Sequence, residues 1–259
     1  MADMGTYLIT GATGGIGAAL AEMLADQGHD LVLVGRSPER LAEVASALRS
    51  GAHARTQVLV RGDAGAPQPV AGQRGTVQTV VLDLSEPRRL EAALAAARLP
   101  DRLDGVVHSA GVVDLGTVAE LTADQWIEQL MVNLVSAAEL TRLLLPALRA
   151  AEGHVVFVNS GSGLRANPGW SAYAAAKHGL RALADSLRAE EPALRVTSVY
   201  PGRTATEMQR KVRTQEGRPY DPDEFADPAT VARVIVGALQ TPRDAAVTDV
   251  SVRPARRGS

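Results

Sequence analysis

The 259-residue chain contains no cysteine. That excludes disulfides, a thiolate nucleophile and cysteine-based zinc sites, and it agrees with a reducing cytoplasm. Aromatic residues make up only 3% of the chain, too few to favour a stacked aromatic cage around a ligand. Charge of neither sign dominates: 27 basic and 29 acidic side chains leave a net −2, which gives no general pull toward nucleic acid or an anionic membrane. No run approaches the ~18 consecutive apolar residues of a membrane span. The first residues, MADMGTYLITGATGG, lack the basic-then-apolar order of a secretory signal. These absences predict a cytoplasmic protein with no nucleic-acid and no membrane partner. The basic end, 253–259, reads as a solvated, flexible tail.

Apolar residues reach 46%, enough for one large core in a single domain spanning 1–259. Short β-rich runs alternate with helical patterns, the order expected of βαβ units and a parallel sheet. The candidate strands are Thr6–Thr10, Asp30–Gly35, Val77–Asp83, Gly105–Ser109, His154–Ser160, Arg195–Tyr200 and Val247–Val252. Several are almost continuously apolar, as strands covered on both faces should be. Helices are expected near Gly15–Gln27, Pro38–Leu48, Pro87–Ala97, Ala123–Arg149, Ser171–Glu190 and Pro228–Leu239. Their starts carry signals: Ser37 and Asp227 each precede a proline, and Thr122 with Gln125 forms a capping box. Residues 51–76 break the rhythm. They are rich in glycine and proline and read as a surface excursion, with Thr56–Val60 as a candidate extra strand.

The segment TGATGGIG, Thr10–Gly17, follows the first strand and opens the first helix. Glycine permits a tight turn and close approach to a pyrophosphate, and the helix N-terminus offers free N–H groups. Gly11, Thr13, Gly14, Gly15, Ile16 and Gly17 are therefore candidate dinucleotide-binding residues. Two spacings fit, Gly11/Gly15/Gly17 and Gly11/Gly14/Gly17, and they point to different nucleotide-binding families. At the end of the second strand a dinucleotide fold often places an acid for the ribose 2′-OH, or an arginine for a 2′-phosphate. Here Gly35 is followed by Arg36 and Ser37, which favours NADP(H) over NAD(H).

Far downstream, Tyr173 and Lys177 are four residues apart and share one helix face. An ammonium beside a tyrosine lowers its pKa, so the pair can move a proton at a carbonyl or alcohol oxygen. Ser160 ends an apolar strand at the sheet edge where ligands bind, and its hydroxyl can donate to the same oxygen. Ser162 is a nearby rival, with Asn159 beside it. The histidines show no metal-ligand spacing, no metal site is expected, and His178 points away from the Lys177 face.

These motifs, together with VLDL around Asp83, SAG at 109–111, MVNLVS around Asn133 and YPGRTAT at 200–206, occur in an order that resembles the short-chain dehydrogenase/reductase family in its compact, single-domain form. The resemblance covers nearly the whole chain. It implies an α/β fold with a Rossmann-like, doubly wound parallel sheet of about seven strands and helices on both faces. It implies a catalytic group of Ser160, Tyr173 and Lys177, with Asn133 holding a water that relays protons to Lys177. Tyr173 and Lys177 would also contact the cofactor, Lys177 at the nicotinamide ribose. Asp83 and Leu84 would lie beside the adenine, and Ser109, Ala110 and Gly111 would pass close to the cofactor. Pro201, Gly202, Thr204 and Thr206 would line the nicotinamide, with 207–223 as a substrate lid. The chain departs from the family in having His108-Ser109 where Asn-Asn is common.

The activity expected is hydride transfer between NADP(H) and a small-molecule carbonyl or secondary alcohol, with Tyr173 as general acid/base. Trp170 and Leu164 are candidate pocket residues, and the polar lid favours a modest-sized, polar substrate. Two alternatives stand: a non-catalytic NADP(H)-sensing protein, and a lyase or epimerase on a tightly held cofactor. The resemblance also implies a homodimer or homotetramer, in which the small residues Ala172, Ala174, Ala175 and Ala176 would permit close helix packing.

Overall fold

The computed structural model describes residues 4–51 and 75–255. Its strands are β1 (Thr6–Thr10), β2 (Asp30–Gly35), β3 (Val77–Val81), β4 (Gly105–His108), β5 (His154–Val158), β6 (Arg195–Pro201) and β7 (Asp249–Val252). They form one sheet in the order β3-β2-β1-β4-β5-β6-β7, parallel at every pairing. The chain builds outward from β1 to β3, then returns to lay β4 on the other side of β1. The connections after β1 and β4 therefore diverge and leave a crevice at the carboxyl edge, where open α/β sheets bind ligands.

Apolar side chains alternate between the two faces of the sheet. Leu8, Val32, Val106, Val155 and Phe157 face one core with Leu140, Leu144, Leu148 and Leu180. Ile9, Leu33, Val107, Val156 and Val199 face the other with Leu20, Leu24, Leu41, Val231 and Ile235. Helices α3 (Leu90–Ala97), α5 (Ser136–Ala151) and α6 (Ser171–Glu190) cover the first face. Helices α1 (Gly15–Asp26), α2 (Pro38–Ser50) and α8 (Pro228–Leu239) cover the second. Burial on both faces is why the inner strands, such as β2 and β5, read as nearly continuous apolar runs. The predicted caps are in place. Ser37 Oγ accepts the Arg40 N–H at 3.2 Å, and Asp227 Oδ1 accepts the Ala229 N–H at 2.7 Å. Thr122 and Gln125 form the reciprocal box at the start of α4 (Ala123–Leu130).

The single helix expected over Ala123–Arg149 is divided. A π-turn at Met131–Val135 separates α4 from α5 and carries Asn133. Such turns concentrate at functional sites because the extra residue re-aims side chains. This whole stretch, Ala123–Ala151, is long and apolar enough to cross a membrane by length and composition alone. Its inward face is core, including Val132, Leu140, Leu144 and Leu148. The segment 207–223, expected to be a lid, also contains a helix that periodicity did not reveal, α7 (Glu207–Gln215), because its sequence EMQRKVRTQ is polar almost throughout. Of the four small residues expected at a helix–helix contact, Ala172, Ala174 and Ala176 are buried inside the chain itself. Most of the excursion, 52–74 and with it Thr56–Val60, lies outside the described residues, as does 256–259 of the tail.

Candidate active site

The glycine turn after β1 shows which glycines the geometry requires. Gly11 has φ +68° and Gly15 φ +54°, conformations that side chains rarely adopt. A Cβ on Gly11 would lie 2.9 Å from the backbone of Ala110, and one on Gly17 only 2.4 Å from the Gly11 carbonyl oxygen. Gly14 is extended (φ −178°), and a Cβ there would meet only the end of the Arg40 side chain at 3.5 Å. The spacing Gly11/Gly15/Gly17 is thus the structural one. Arg40, which the sequence did not single out, donates from Nη2 to the Thr13 carbonyl at 2.7 Å and braces the turn.

Thr10 was also missed as an individual residue. Its buried hydroxyl accepts the N–H groups of both Ser109 and Ala110 at 3.1 Å. This draws the turn after β4 against Gly11 and narrows the crevice between β1 and β4. A cleft of about 180 Å³ opens there, lined by Gly11, Thr13, Gly35, Arg36, Leu84, Ser85, Ala110, Gly111 and Val112, among others. A larger groove of about 310 Å³ between α3 and α5 holds none of the expected site residues.

Two expected cofactor contacts are partly engaged within the chain. Ser37 Oγ caps α2 and donates to Glu39 at 2.8 Å. The Asp83 carboxylate accepts both the N–H and the hydroxyl of Ser85, which holds it below the usual carboxylate range; Arg36 and Arg89 add to the effect. His108, in place of the common asparagine, turns into the core. It is buried, stacks on Phe157 and bonds the Thr141 hydroxyl at 2.9 Å. Burial pushes it down to about 3, so it is neutral.

Tyr173 and Lys177 lie on the buried face of α6, as their spacing predicted. Ser160 follows β5, and its Oγ accepts the Ser162 N–H at 3.1 Å. Asn159 is the joint between these parts. Its Oδ1 accepts the Ser160 N–H at 2.8 Å while its Nδ2 donates to the Lys177 carbonyl at 3.0 Å. Gly163 packs so closely on this amide that a Cβ would lie 2.2 Å from Asn159 Oδ1. The Asn133 side chain exchanges two bonds with Val112, accepting its N–H at 3.0 Å and donating to its carbonyl at 2.9 Å. Gly111 packs closely on the Asn133 amide, with Lys177 next to it: a Cβ there would lie 2.8 Å from Asn133 Oδ1 and 3.9 Å from Lys177 Nζ.

The expected lowering of the Tyr173 pKa is not what this geometry produces. Burial pushes the phenol up to about 12, against a smaller downward pull from its hydrogen bond with Ser160. Lys177 Nζ sits over the ring, 5.7 Å from its centroid, and donates to the Val158 carbonyl at 3.0 Å. Burial also lowers Lys177, to about 8. The dominant effect on both groups is loss of water, which favours their neutral forms.

The remaining residues close the front of the site. Thr204 is buried, its hydroxyl on the Gly202 carbonyl, and Gly202 is backed by Pro254. Thr206 caps α7 by accepting the Gln209 N–H at 3.2 Å, and its methyl would stand 3.0 Å from a Cβ on Gly15. Val113, Val212, Met208, Leu115 and Trp170 form an apolar wall around Tyr173, with the Trp170 ring centroid 5.9 Å from that of Tyr173. Leu164 is 40% exposed and lies outside this wall. His178 donates to the Ala174 carbonyl of its own helix, apart from the reacting face. Among the described residues no group of His, Asp and Glu is placed to hold a metal.

The chain is similar to known proteins over nearly its full length. An uncharacterized oxidoreductase of Escherichia coli, YciK, is 32% identical over 231 residues, covering 86% of this chain and 81% of that one. An alcohol dehydrogenase from the archaeon Thermococcus sibiricus, solved with 5-hydroxy-NADP, superposes with a TM-score of 0.81 at 25% identity, covering 99% of both chains. A short-chain dehydrogenase from Sphingobium yanoikuyae, solved with NADPH, superposes with a TM-score of 0.76 at 26% identity, covering 95% of this chain and 87% of that one. The model of the short chain dehydrogenase family matches residues 6–71 and 58–217, and the protein belongs to that family of dehydrogenases and reductases.

Proposed function

We propose that the protein is an NADP(H)-dependent reductase of a small carbonyl compound, with Tyr173 as the proton donor. The observation that carries this reading is the Tyr173 phenol buried beside the Ser160 hydroxyl, with Ser160 after β5 and the glycine turn after β1 at one edge of the parallel sheet. Cofactor fit is supported by the cleft of about 180 Å³ at the carboxyl edge, lined by Gly11, Thr13, Arg36, Ala110 and Gly111. Arg36 in the cleft wall, with no acid at the end of β2, supports the 2′-phosphate form. The similar solved structures carrying NADPH and 5-hydroxy-NADP agree. When bound, the nicotinamide supplies a hydride to the carbonyl carbon, or removes one from the alcohol.

The chain's own residues do the rest. Ser160 donates a hydrogen bond to the carbonyl oxygen as charge develops on it. Tyr173, neutral at physiological pH, delivers its proton to that oxygen. Lys177 then stabilises the phenolate left behind. By the family resemblance, Asn133 would hold a water that returns the proton to Tyr173 through Lys177. The apolar wall excludes bulk water, which strengthens each of these interactions.

The test is NADPH consumption against a panel of ketones and aldehydes, with Tyr173→Phe beside the parent. Parent turnover, with at least a thousandfold loss in the variant and cofactor affinity retained, is expected, at the strong end of general acid–base effects of about 10²–10⁴-fold. Equal turnover in the two proteins would remove Tyr173 from the proton path.

A further inference from the structure

Gln129 is fully buried on α4, four residues before Asn133, and has no part in the proposed chemistry. Its amide does at Asp114 what Asn133 does at Val112. Gln129 Oε1 accepts the Asp114 N–H at 3.2 Å, and Nε2 donates to the Asp114 carbonyl at 3.2 Å. Four helical residues advance about 6 Å. Two residues of extended chain advance about 6.6 Å. The two amides on one helix face therefore match alternate residues of the segment after Gly111, as a neighbouring strand would. The residue between them, Val113, is delivered to the wall around Tyr173.

The Asp114 side chain, fixed in this way, faces the lid. Its Oδ1 pairs with Lys211 Nζ at 2.6 Å and accepts from Gln215 Nε2 at 3.1 Å. Gln215 Oε1 in turn accepts the Leu115 N–H at 3.1 Å. Both Lys211 and Gln215 lie on α7, the helix that brings Met208 and Val212 over Tyr173. Gln129 acts on the backbone of Asp114 and α7 on its carboxylate, so the residue joins a fixed helix to the lid.

We infer that Gln129 and Asp114 are positioning residues: Gln129 clamps the strand-like segment 112–114, and Asp114 is the catch on which α7 closes the substrate pocket. The inference rests on the proposed carbonyl reduction for its kinetic reading, and a second reading is independent of turnover. Loss of the catch leaves the glycine turn, Tyr173 and Lys177 in place and populates the open lid.

Asp114→Ala and Lys211→Met are expected to raise KM for the carbonyl substrate about tenfold, the equivalent of about 1.4 kcal/mol. They should cost far less in kcat and leave the Kd for NADPH within about twofold. Gln129→Met, of similar length but without the amide, should give the same split. Combined with Lys211→Met it should add little, because both act through Asp114. Trypsin supplies the other reading, since Arg210, Lys211 and Arg213 lie on the lid helix. The folded Asp114→Ala protein should be cut there at least about fivefold faster than the parent. Fully additive effects of Gln129→Met and Lys211→Met, or parental KM and lid cleavage in Asp114→Ala, would overturn the inference. Faster cleavage without carbonyl turnover in any of the proteins would support the catch and count against the proposed reaction instead.

Discussion

Replacing Gly17 and Gly14 separately by alanine tests the glycine turn atom by atom. A methyl on Gly17 would sit 2.4 Å from the Gly11 carbonyl oxygen, about 1 Å inside ordinary contact. That oxygen belongs to the backbone of the turn, so relief requires moving α1 away from β1 or distorting the turn that frames the cleft. Overpacking of this kind costs about 1–3 kcal/mol. If about 2 kcal/mol falls on the bound state, NADPH affinity drops roughly thirtyfold. If the same energy falls instead on the free folded state, it lowers the melting temperature by about 4–8 °C in a chain of this size. A methyl on Gly14 meets only the movable end of Arg40 at 3.5 Å, from an extended backbone that any residue can adopt. Gly14→Ala should keep its affinity within about twofold and gain up to about 1 kcal/mol of stability from a less flexible unfolded chain. Calorimetric titration with NADPH and thermal melts read both quantities. Equal damage from the two substitutions would refute the assignment of Gly11, Gly15 and Gly17 as the structural glycines.

Three further outcomes are expected. Arg36→Asp should shift the ratio of NADPH to NADH affinity at least about tenfold toward NADH, in keeping with loss of a charge-assisted phosphate bond; an unchanged ratio would show that Arg36 does not meet the 2′-phosphate. The buried imidazoles of His108 and His154 are both pushed down to about 3, so between pH 6.5 and 3 the unfolded chain binds protons that the folded one does not. Stability should therefore fall as pH drops below 6.5, by about 1.4 kcal/mol per histidine at pH 5.5, and His154→Gln should reduce that slope in denaturant titrations. A flat stability from pH 7 to 5.5 would contradict this. Asn159→Ala, which unties Ser160 from Lys177, should cut kcat at least about tenfold with little change in NADPH affinity. Parental kcat would show that the joint is dispensable.

The inner strands were legible because burial on both faces imposes nearly uninterrupted apolar runs, and the helix starts because caps are local chemistry. Ser37, Thr122 and Asp227 cap where the sequence placed them. Tyr173 and Lys177 were legible for the same reason, since four-residue spacing on a helix fixes a shared face. What escaped reading depends on partners distant in the chain. Thr10 works on Ser109 and Ala110, Asn159 on Lys177, and Gln129 on Asp114. None of these pairs has a periodic signature. The π-turn was hidden because its sequence, MVNLV, continues the apolar pattern of its flanking helices. The upward direction of the Tyr173 shift was not legible because its main cause, desolvation, is a property of the packed site.

The proposed function turns on a hydride passing between NADPH and a carbonyl carbon under a buried tyrosine. Incubation with NADPH deuterated at nicotinamide C4, on the face that transfers, and with a mixed panel of ketones and aldehydes tests it directly by mass spectrometry of the alcohols formed. One deuterium is expected on the carbinol carbon of at least one product, absent when Tyr173→Phe replaces the parent. Tight NADPH binding with no deuterium leaving the cofactor for any carbonyl would contradict it, and would favour a cofactor that is held rather than consumed.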